Sequence, residues 1–192
     1  MAHILIVYGT TEGQTAKISK ALAREISDKG HRVRTFPATE APTGKELEAF
    51  DAIIVGSSVH VGKFDKVLRK WGRRNFVFLQ RKPSAFFSVC LGILEKNFKA
   101  KREEANMVVN FFREAGWSPE IHTIFAGALK YSQYGWLKKI LMKSIAKKAG
   151  GDTDTSRDYE YTNWDDVRAF AQRFEALLEQ PGTVPALSMG KH

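Results

Sequence analysis

The stretch Ile4-Leu5-Ile6-Val7-Tyr8-Gly9-Thr10-Thr11-Glu12-Gly13-Gln14-Thr15 decides the fold. Its opening run of β-favouring apolar residues, with no polar alternation, reads as a strand buried on both faces and ended by Gly9. Helical spacing starts just beyond. Ile18, Ala21, Leu22 and Ile26 share one face of a segment from Gln14 to Lys29, and Gly30 stops it. Strand, short polar loop, helix is the opening unit of a doubly wound α/β sheet, in which ligands sit beyond the carboxyl ends of the strands. The loop places hydroxyls at a helix start, where free amides and the helix dipole converge, and so suits a phosphate. It has no G-x-G-x-x-G and no Gly-Lys-Ser/Thr, which excludes a dinucleotide fingerprint and a Walker loop. No basic residue lies inside it. Hydroxyls and amides alone fit a terminal monophosphate held without a metal. A threonine-rich helix cap with no ligand is the competing reading.

The alternation continues outward. Arg32 to Phe36 reads as a second strand, Asp51 to Gly56 as a third, Ser84 to Cys90 as a fourth and Ile121 to Ala126 as a fifth. Between them, Phe64 to about Phe78 reads as a basic helix, and Ala100 to Ala115 as a helix ended by Gly116 and Pro119. Strands and helices in strict alternation imply right-handed crossovers and a parallel sheet covered on both faces. Three loops then matter: those after Tyr8, Gly56 and Cys90. In the second, Gly56-Ser57-Ser58-Val59-His60-Val61-Gly62, the glycines permit tight turns and the polar backbone could border a flat ring; a plain connection is the alternative. His60 alone reads as a loop histidine. The third loop, Cys90 to about Lys99, is longer than most strand-to-helix links, and Cys90 itself reads as a packed strand residue.

With 192 residues, the chain makes one domain with some excess. A domain of that size buries roughly 70% of its unfolded surface and needs neither disulfides nor metal to fold. The single cysteine, Cys90, excludes an intramolecular disulfide and a thiolate zinc site. The longest apolar run, Ala85 to Leu94, falls well short of the ~20 residues of a membrane span. The first residues lack a basic region followed by a cleavage site. A reduced, cytoplasmic domain, free or surface-bound, is the expectation. We read 1–179 as one domain with an insertion at about 130–160, and 180–192 as a frayed tail punctuated by Pro181, Gly182 and Pro185.

Charge is uneven. The net charge is +9, and between Ile121 and Gly151 six lysines face no acidic residue: Lys130, Lys138, Lys139, Lys143, Lys147 and Lys148. Trp136, Leu137, Ile140, Leu141 and Ile145 recur there at three- and four-residue steps, which predicts one apolar helical face beside the lysines. Such a helix suits a membrane interface or packs on its own domain. A second basic cluster, Lys63, Lys66, Arg69, Lys70, Arg73, Arg74, Arg81 and Lys82, contains only Asp65 as an acid. It either attracts anions or forms a solvated helix face. No nucleic-acid motif accompanies either cluster, so nucleic acid is not an expected partner. Asp152, Asp154 and Asp158 lack the terminal Glu of a calcium loop and read as a connection to the last helix. That helix is expected to start with a capping box, Thr162 to Asp165, and to bury Trp164, Val167, Phe170 or Ala171, Phe174 and Leu178.

The three loops, in this order, resemble flavodoxins, and Thr10 to Thr15 matches their phosphate pattern T-x-x-G-x-T. A narrower resemblance comes from Ala126-Gly127-Ala128-Leu129-Lys130-Tyr131, then Tyr134 and Trp136, Gly150-Gly151-Asp152-Thr153-Asp154-Thr155 and Tyr161-Thr162-Asn163-Trp164. These blocks look like the flavodoxin-like, quinone-dependent protoporphyrinogen IX dehydrogenases of bacterial haem synthesis, over roughly His3 to Leu178. The resemblance implies a five-stranded sheet of order 2-1-3-4-5, a helical insertion after the fifth strand, and FMN as cofactor. It places the FMN phosphate on Thr10, Thr11, Glu12, Gly13, Gln14 and Thr15. The flavin ring falls between Ser57, Ser58, Val59, His60, Val61 and Gly62 on one side and Val89, Cys90 and Leu91 on the other. It further implies protoporphyrinogen IX as substrate and menaquinone or ubiquinone as acceptor. The setting it implies is cytoplasmic, on the anionic inner face of the cell membrane. It names no catalytic side chain and no metal. Two rivals remain: a flavodoxin-type electron carrier, against which the +9 charge argues, and an FMN-dependent quinone reductase with another donor.

Overall fold

A computed structural model describes residues 1–60, 62–92, 98–136, 139–140, 143–144, 147 and 152–179. The strands are β1 (His3–Gly9), β2 (Arg32–Pro37), β3 (Ala52–His60), β4 (Lys63–Phe64), β5 (Ser84–Cys90), β6 (Ile121–Ala126), β7 (Ala128–Leu129) and β8 (Tyr159–Glu160). The helices are α1 (Gln14–Ser27), α2 (Lys66–Arg74), α3 (Phe76–Arg81), α4 (Phe98–Ala115) and α5 (Trp164–Glu179). The five long strands run parallel in the order β2-β1-β3-β5-β6, which is the expected 2-1-3-4-5. β4 pairs antiparallel with the end of β3, and β7 pairs with β8 in a separate ribbon.

Alternate residues of each buried strand serve opposite layers. Ile4, Ile6, Ile54, Phe87 and Phe125 pack under α1 and α5 with Ile18, Leu22, Phe170 and Phe174. Leu5, Val7, Ile53, Val55 and Phe86 pack under α2, α3 and α4 with Leu68, Trp71, Leu79 and Phe111. The register aligns Tyr8 with Gly56, Ser58 with Val89 and Cys90 with Ala126, so β1, β3, β5 and β6 all end on the same side of the sheet. Close packing fixes Gly56: a Cβ there would sit 2.2 Å from the Phe87 ring tip.

Four local expectations are corrected. The third strand does not end at Gly56; it continues to His60, and a turn through Gly62, at φ +69°, folds it back into β4. That positive φ is why glycine stands there. The basic helix is two helices, α2 and α3. Asn75 divides them: buried, its side chain donates to the Trp71 carbonyl (2.9 Å) and accepts from Gly44 N–H (2.9 Å). The capping box at Thr162 is absent, because the Thr162 hydroxyl donates to the Ala126 carbonyl (2.7 Å) and accepts from the Gln14 amide (2.8 Å). Asn163 caps α5 instead, its Oδ1 accepting from Asp165 N–H at 3.0 Å. Trp164 and Leu178 are half-buried at the core margin, whereas Val167, Phe170, Ala171 and Phe174 are buried.

In the insertion, Trp136, Lys139, Ile140, Lys143, Ser144 and Lys147 are helical, as the spacing predicts. Leu137, Lys138, Leu141, Ile145 and Lys148 of the expected face and the 180–192 tail lie outside the described residues. Trp136 and Ile140 are 72% and 62% exposed, so these two do not pack on the domain. Asp158 is a structural acceptor for Ser132 N–H and Oγ–H, both at 2.8 Å, which holds its carboxyl below the usual range.

Candidate functional site

The cleft forms where β1, β3, β5 and β6 end. Thr10, Thr11, Glu12, Gln14, Thr15, Ser58, Val59, Val89, Cys90 and Leu91 line it, joined by Gly127 and Ala128. Ten of the residues expected from sequence therefore surround one opening. It measures about 60 Å³. A ligand there would put a small group inside and lie across the open mouth with the rest.

The loop from Thr10 to Thr15 owes its shape to Gly13, at φ +86°, whose N–H donates to the Thr10 hydroxyl at 3.0 Å. Thr10 is thus an acceptor within the loop and keeps its own proton for a ligand. Thr15 sits in the first turn of α1, fully buried, and its hydroxyl has no partner among the described residues. A buried hydroxyl left without a partner costs about 1–3 kcal/mol, so the observation asks for a group that completes it. A phosphate at the start of α1 would do so, and the helix dipole would favour its negative charge. Gln14 reaches the other way, to Thr162, and anchors the helix start to the end of β6.

Three expected residues have other places. Ser57 is buried in the strand, where its hydroxyl accepts from Asp65 N–H (3.2 Å) and donates to the Ser58 carbonyl (3.1 Å). Gly13 shapes the loop without lining the cleft, and Gly62 borders a neighbouring hollow beside α4. The His60 side chain and Val61 lie outside the described residues. The Thr11 and Ser58 hydroxyls are 3.4 Å apart and close the wall between the first and second loops. Cys90 Sγ accepts from Gly92 N–H at 3.3 Å, shaping the start of the third loop.

Sequence reasoning missed Gly127 and Ala128 as wall residues, although both stand in the A-G-A-L block. A Cβ on Gly127 would meet Val89 Cγ1 at 3.4 Å, so the backbone of the fifth long strand's exit approaches the third loop closely. It also missed Tyr134. Its phenol donates to the Glu12 carboxylate and accepts from Lys130 N–H (3.1 Å). Burial first, and then the Glu12 carboxylate, raise the Tyr134 phenol well above its usual value. Tyr131, Tyr134 and Leu129 form a small core with Leu91, Tyr159 and Tyr161. The third loop and the insertion are packed together through Leu91.

The parallel order, the strand-end cleft and the hydroxyl-rich helix start define the flavodoxin-like class of α/β proteins. The family model for the flavodoxin domain matches residues 5–156. The oxidised flavodoxin 1 from Bacillus cereus shares the fold, with a TM-score of 0.57 and 11% identity over 94% of this chain and 99% of that one. The protoporphyrinogen IX dehydrogenase [quinone] of Escherichia coli (strain K12) is 31% identical over 179 residues, 92% of this chain and 97% of its own length. A protein of the same name from Leishmania major is 32% identical over 181 residues, 90% of this chain and 74% of its own. The chain belongs to the flavodoxin-like family of quinone-dependent protoporphyrinogen IX dehydrogenases. Among the described residues no helix is long and apolar enough to cross a membrane.

Proposed function

We propose that the protein is an FMN-dependent oxidoreductase that converts protoporphyrinogen IX to protoporphyrin IX and passes the electrons to a membrane quinone. The observation that carries this reading is that the similarity to the two dehydrogenases runs through the insertion as well as the flavin-binding core. An electron carrier would need only the core. FMN is the flavin proposed, because the Thr10–Thr15 loop offers hydroxyls and amides for one phosphate and the sequence has no dinucleotide fingerprint.

Bound FMN would supply the two-electron chemistry. The chain's own residues do the rest. Thr10, Thr15 and the amides of the first turn of α1 bind the phosphate. Ser58, Val59, Val89, Cys90, Leu91, Gly127 and Ala128 border the ring and limit water. Complete aromatisation removes six electrons and six protons from the macrocycle, so three quinones become three hydroquinones per porphyrin. No side chain is required as a fixed proton acceptor. Repeated reoxidation favours a position at the quinone-bearing membrane, and the exposed Trp136 and Ile140 beside Lys139, Lys143 and Lys147 are the surface proposed for it.

Anaerobic mixing of the FMN-loaded protein with protoporphyrinogen IX tests the reading. Flavin bleaching, porphyrin fluorescence and recovery of the yellow form on adding menaquinone are expected. A flavin that stays oxidised would sink it.

A further inference from the structure

Beside the cofactor cleft lies a recess of about 410 Å³ walled by Thr11, Ser58, Lys63, Phe64, Asp65, Lys66 and Arg69. Thr11 and Ser58 line both hollows, so the recess opens next to the mouth of the cleft. Lys63 comes from β4 and Lys66 opens α2, so the hairpin that returns from β3 brings the two residues to one wall.

Of the other two charges in the wall, Arg69 is ion-paired and Asp65 caps the helix. Arg69 donates to Glu114 at 2.6 Å. Asp65 accepts from Leu68 N–H at 2.8 Å and packs against Gly9, where a Cβ would meet its side chain at 2.5 Å. Among the described residues Lys63 and Lys66 enter no ion pair. Lys66 is the first residue of α2, directly after its N-cap Asp65.

We infer that this recess takes the two propionate carboxylates of the tetrapyrrole, with Lys63 and Lys66 as positioning residues. The inference rests on the activity proposed above. Both propionates project from one edge of the macrocycle. Anchoring that edge beside Thr11 and Ser58 fixes the side from which the ring system reaches over the cleft. It also gives the second basic cluster of the sequence a definite anion, rather than diffuse attraction.

The double variant Lys63→Gln/Lys66→Gln tests it in the FMN-loaded protein, with protoporphyrin IX and its dimethyl ester as probes in absorbance titrations at low and high salt. The parent should bind the diacid more tightly than the ester, with the gap closing in high salt. In the variant the Kd for the diacid should rise about fivefold to tenfold, as for partly exposed charge pairs, while the ester is unaffected. KM for protoporphyrinogen should rise with kcat retained, and FMN affinity should match the parent, which reports an intact fold. Equal diacid affinity in parent and variant overturns the inference, and so does a parent that does not distinguish diacid from ester. A variant that loses sedimentation with phosphatidylglycerol vesicles yet binds the diacid like the parent overturns it in favour of a lipid headgroup. If the lysine-dependent preference for the diacid holds while protoporphyrinogen is not oxidised, the recess stands and the proposed activity falls.

Discussion

Tyr134 donates its phenolic hydrogen to the carboxylate of Glu12, joining the insertion to the candidate phosphate loop across 122 residues of sequence. The same oxygen accepts from Lys130 N–H, so the tyrosine is held from both sides, and its ring packs edge-on against Tyr131 at 5.8 Å. Glu12 is the one acid in a loop read as an anion site. Engaging its charge with a buried donor offsets its repulsion of a phosphate. The segment that carries Trp136 begins two residues after this contact.

Tyr134→Phe should therefore act on the cofactor and not only on the insertion. The ring keeps its packing, but Glu12 loses this donor, at a cost of about 1–3 kcal/mol shared between loop order and ligand affinity. FMN affinity by fluorescence titration should fall severalfold with the melting curve still cooperative. Unchanged affinity would show that the loop holds its shape without the insertion.

Thr15→Val separates a ligand contact from a packing role. The substitution preserves shape and removes a buried hydroxyl that has no partner among the described residues. The protein without cofactor should be as stable as the parent or more so, because an uncompensated polar group has been removed from the interior. FMN affinity should fall at least about tenfold, the value of a hydroxyl donor to a charged acceptor. A loss of apo stability with FMN affinity retained would assign the hydroxyl to the fold.

The strand order and the first loop were legible because they rest on local patterns: the apolar run from Ile4, the helical face from Ile18 and the glycine stops. What escaped depends on contacts between distant residues. Nothing near Gly56 tells that the strand runs on to His60, since Ser57 and Ser58 are weak strand formers that the β5 ladder recruits. Asn75 sits inside a run that reads as helix, and its side chain at the break bonds both the Trp71 carbonyl and Gly44, 31 residues earlier. Thr162 fits a capping box by spacing, but Gln14 and Ala126 claim its hydroxyl. In the cleft, the hydroxyl-rich loop was readable from composition. The Glu12–Tyr134 bond was not, because neither residue's neighbours point to the other.

The tyrosine cluster sets an alkaline limit. Burial, and then the hydrogen bond it donates to the Asp152 carboxylate, push the Tyr161 phenol up to about 12 from an ordinary 10.0 against the opposing bond from Asp152 N–H, and Tyr131 and Tyr134 are raised as well. A phenol with a raised folded pKa holds its proton in the fold after the unfolded chain has lost it. Its contribution to stability is then full below pH 10 and is lost as pH climbs through the folded value near 12. The urea midpoint should hold between pH 8 and 9.5 and fall steeply above 10. Tyr161→Phe cannot ionise and should flatten part of that fall. An identical pH profile in the variant would remove Tyr161 from the account.

The insertion helix provides the last prediction. Trp136 and Ile140, four residues apart, share one helical face and stand exposed; Lys143 and Lys147 continue that face along the helix, and Lys139 stands beside it. Each lysine near an anionic surface contributes about 1 kcal/mol before screening, and the apolar pair adds a part that salt does not weaken. Lys139→Gln/Lys143→Gln/Lys147→Gln keeps helix propensity nearly constant. It should cut co-sedimentation with anionic vesicles at low salt and leave the smaller high-salt fraction, which Trp136→Ala/Ile140→Ala should then remove. Turnover with a short, water-soluble quinone should be preserved in both variants, because none of these residues lines the cleft. Turnover with menaquinone in vesicles should drop in step with sedimentation. If the triple variant sediments like the parent at both salts, the exposed tryptophan and its lysines serve a surface other than a membrane.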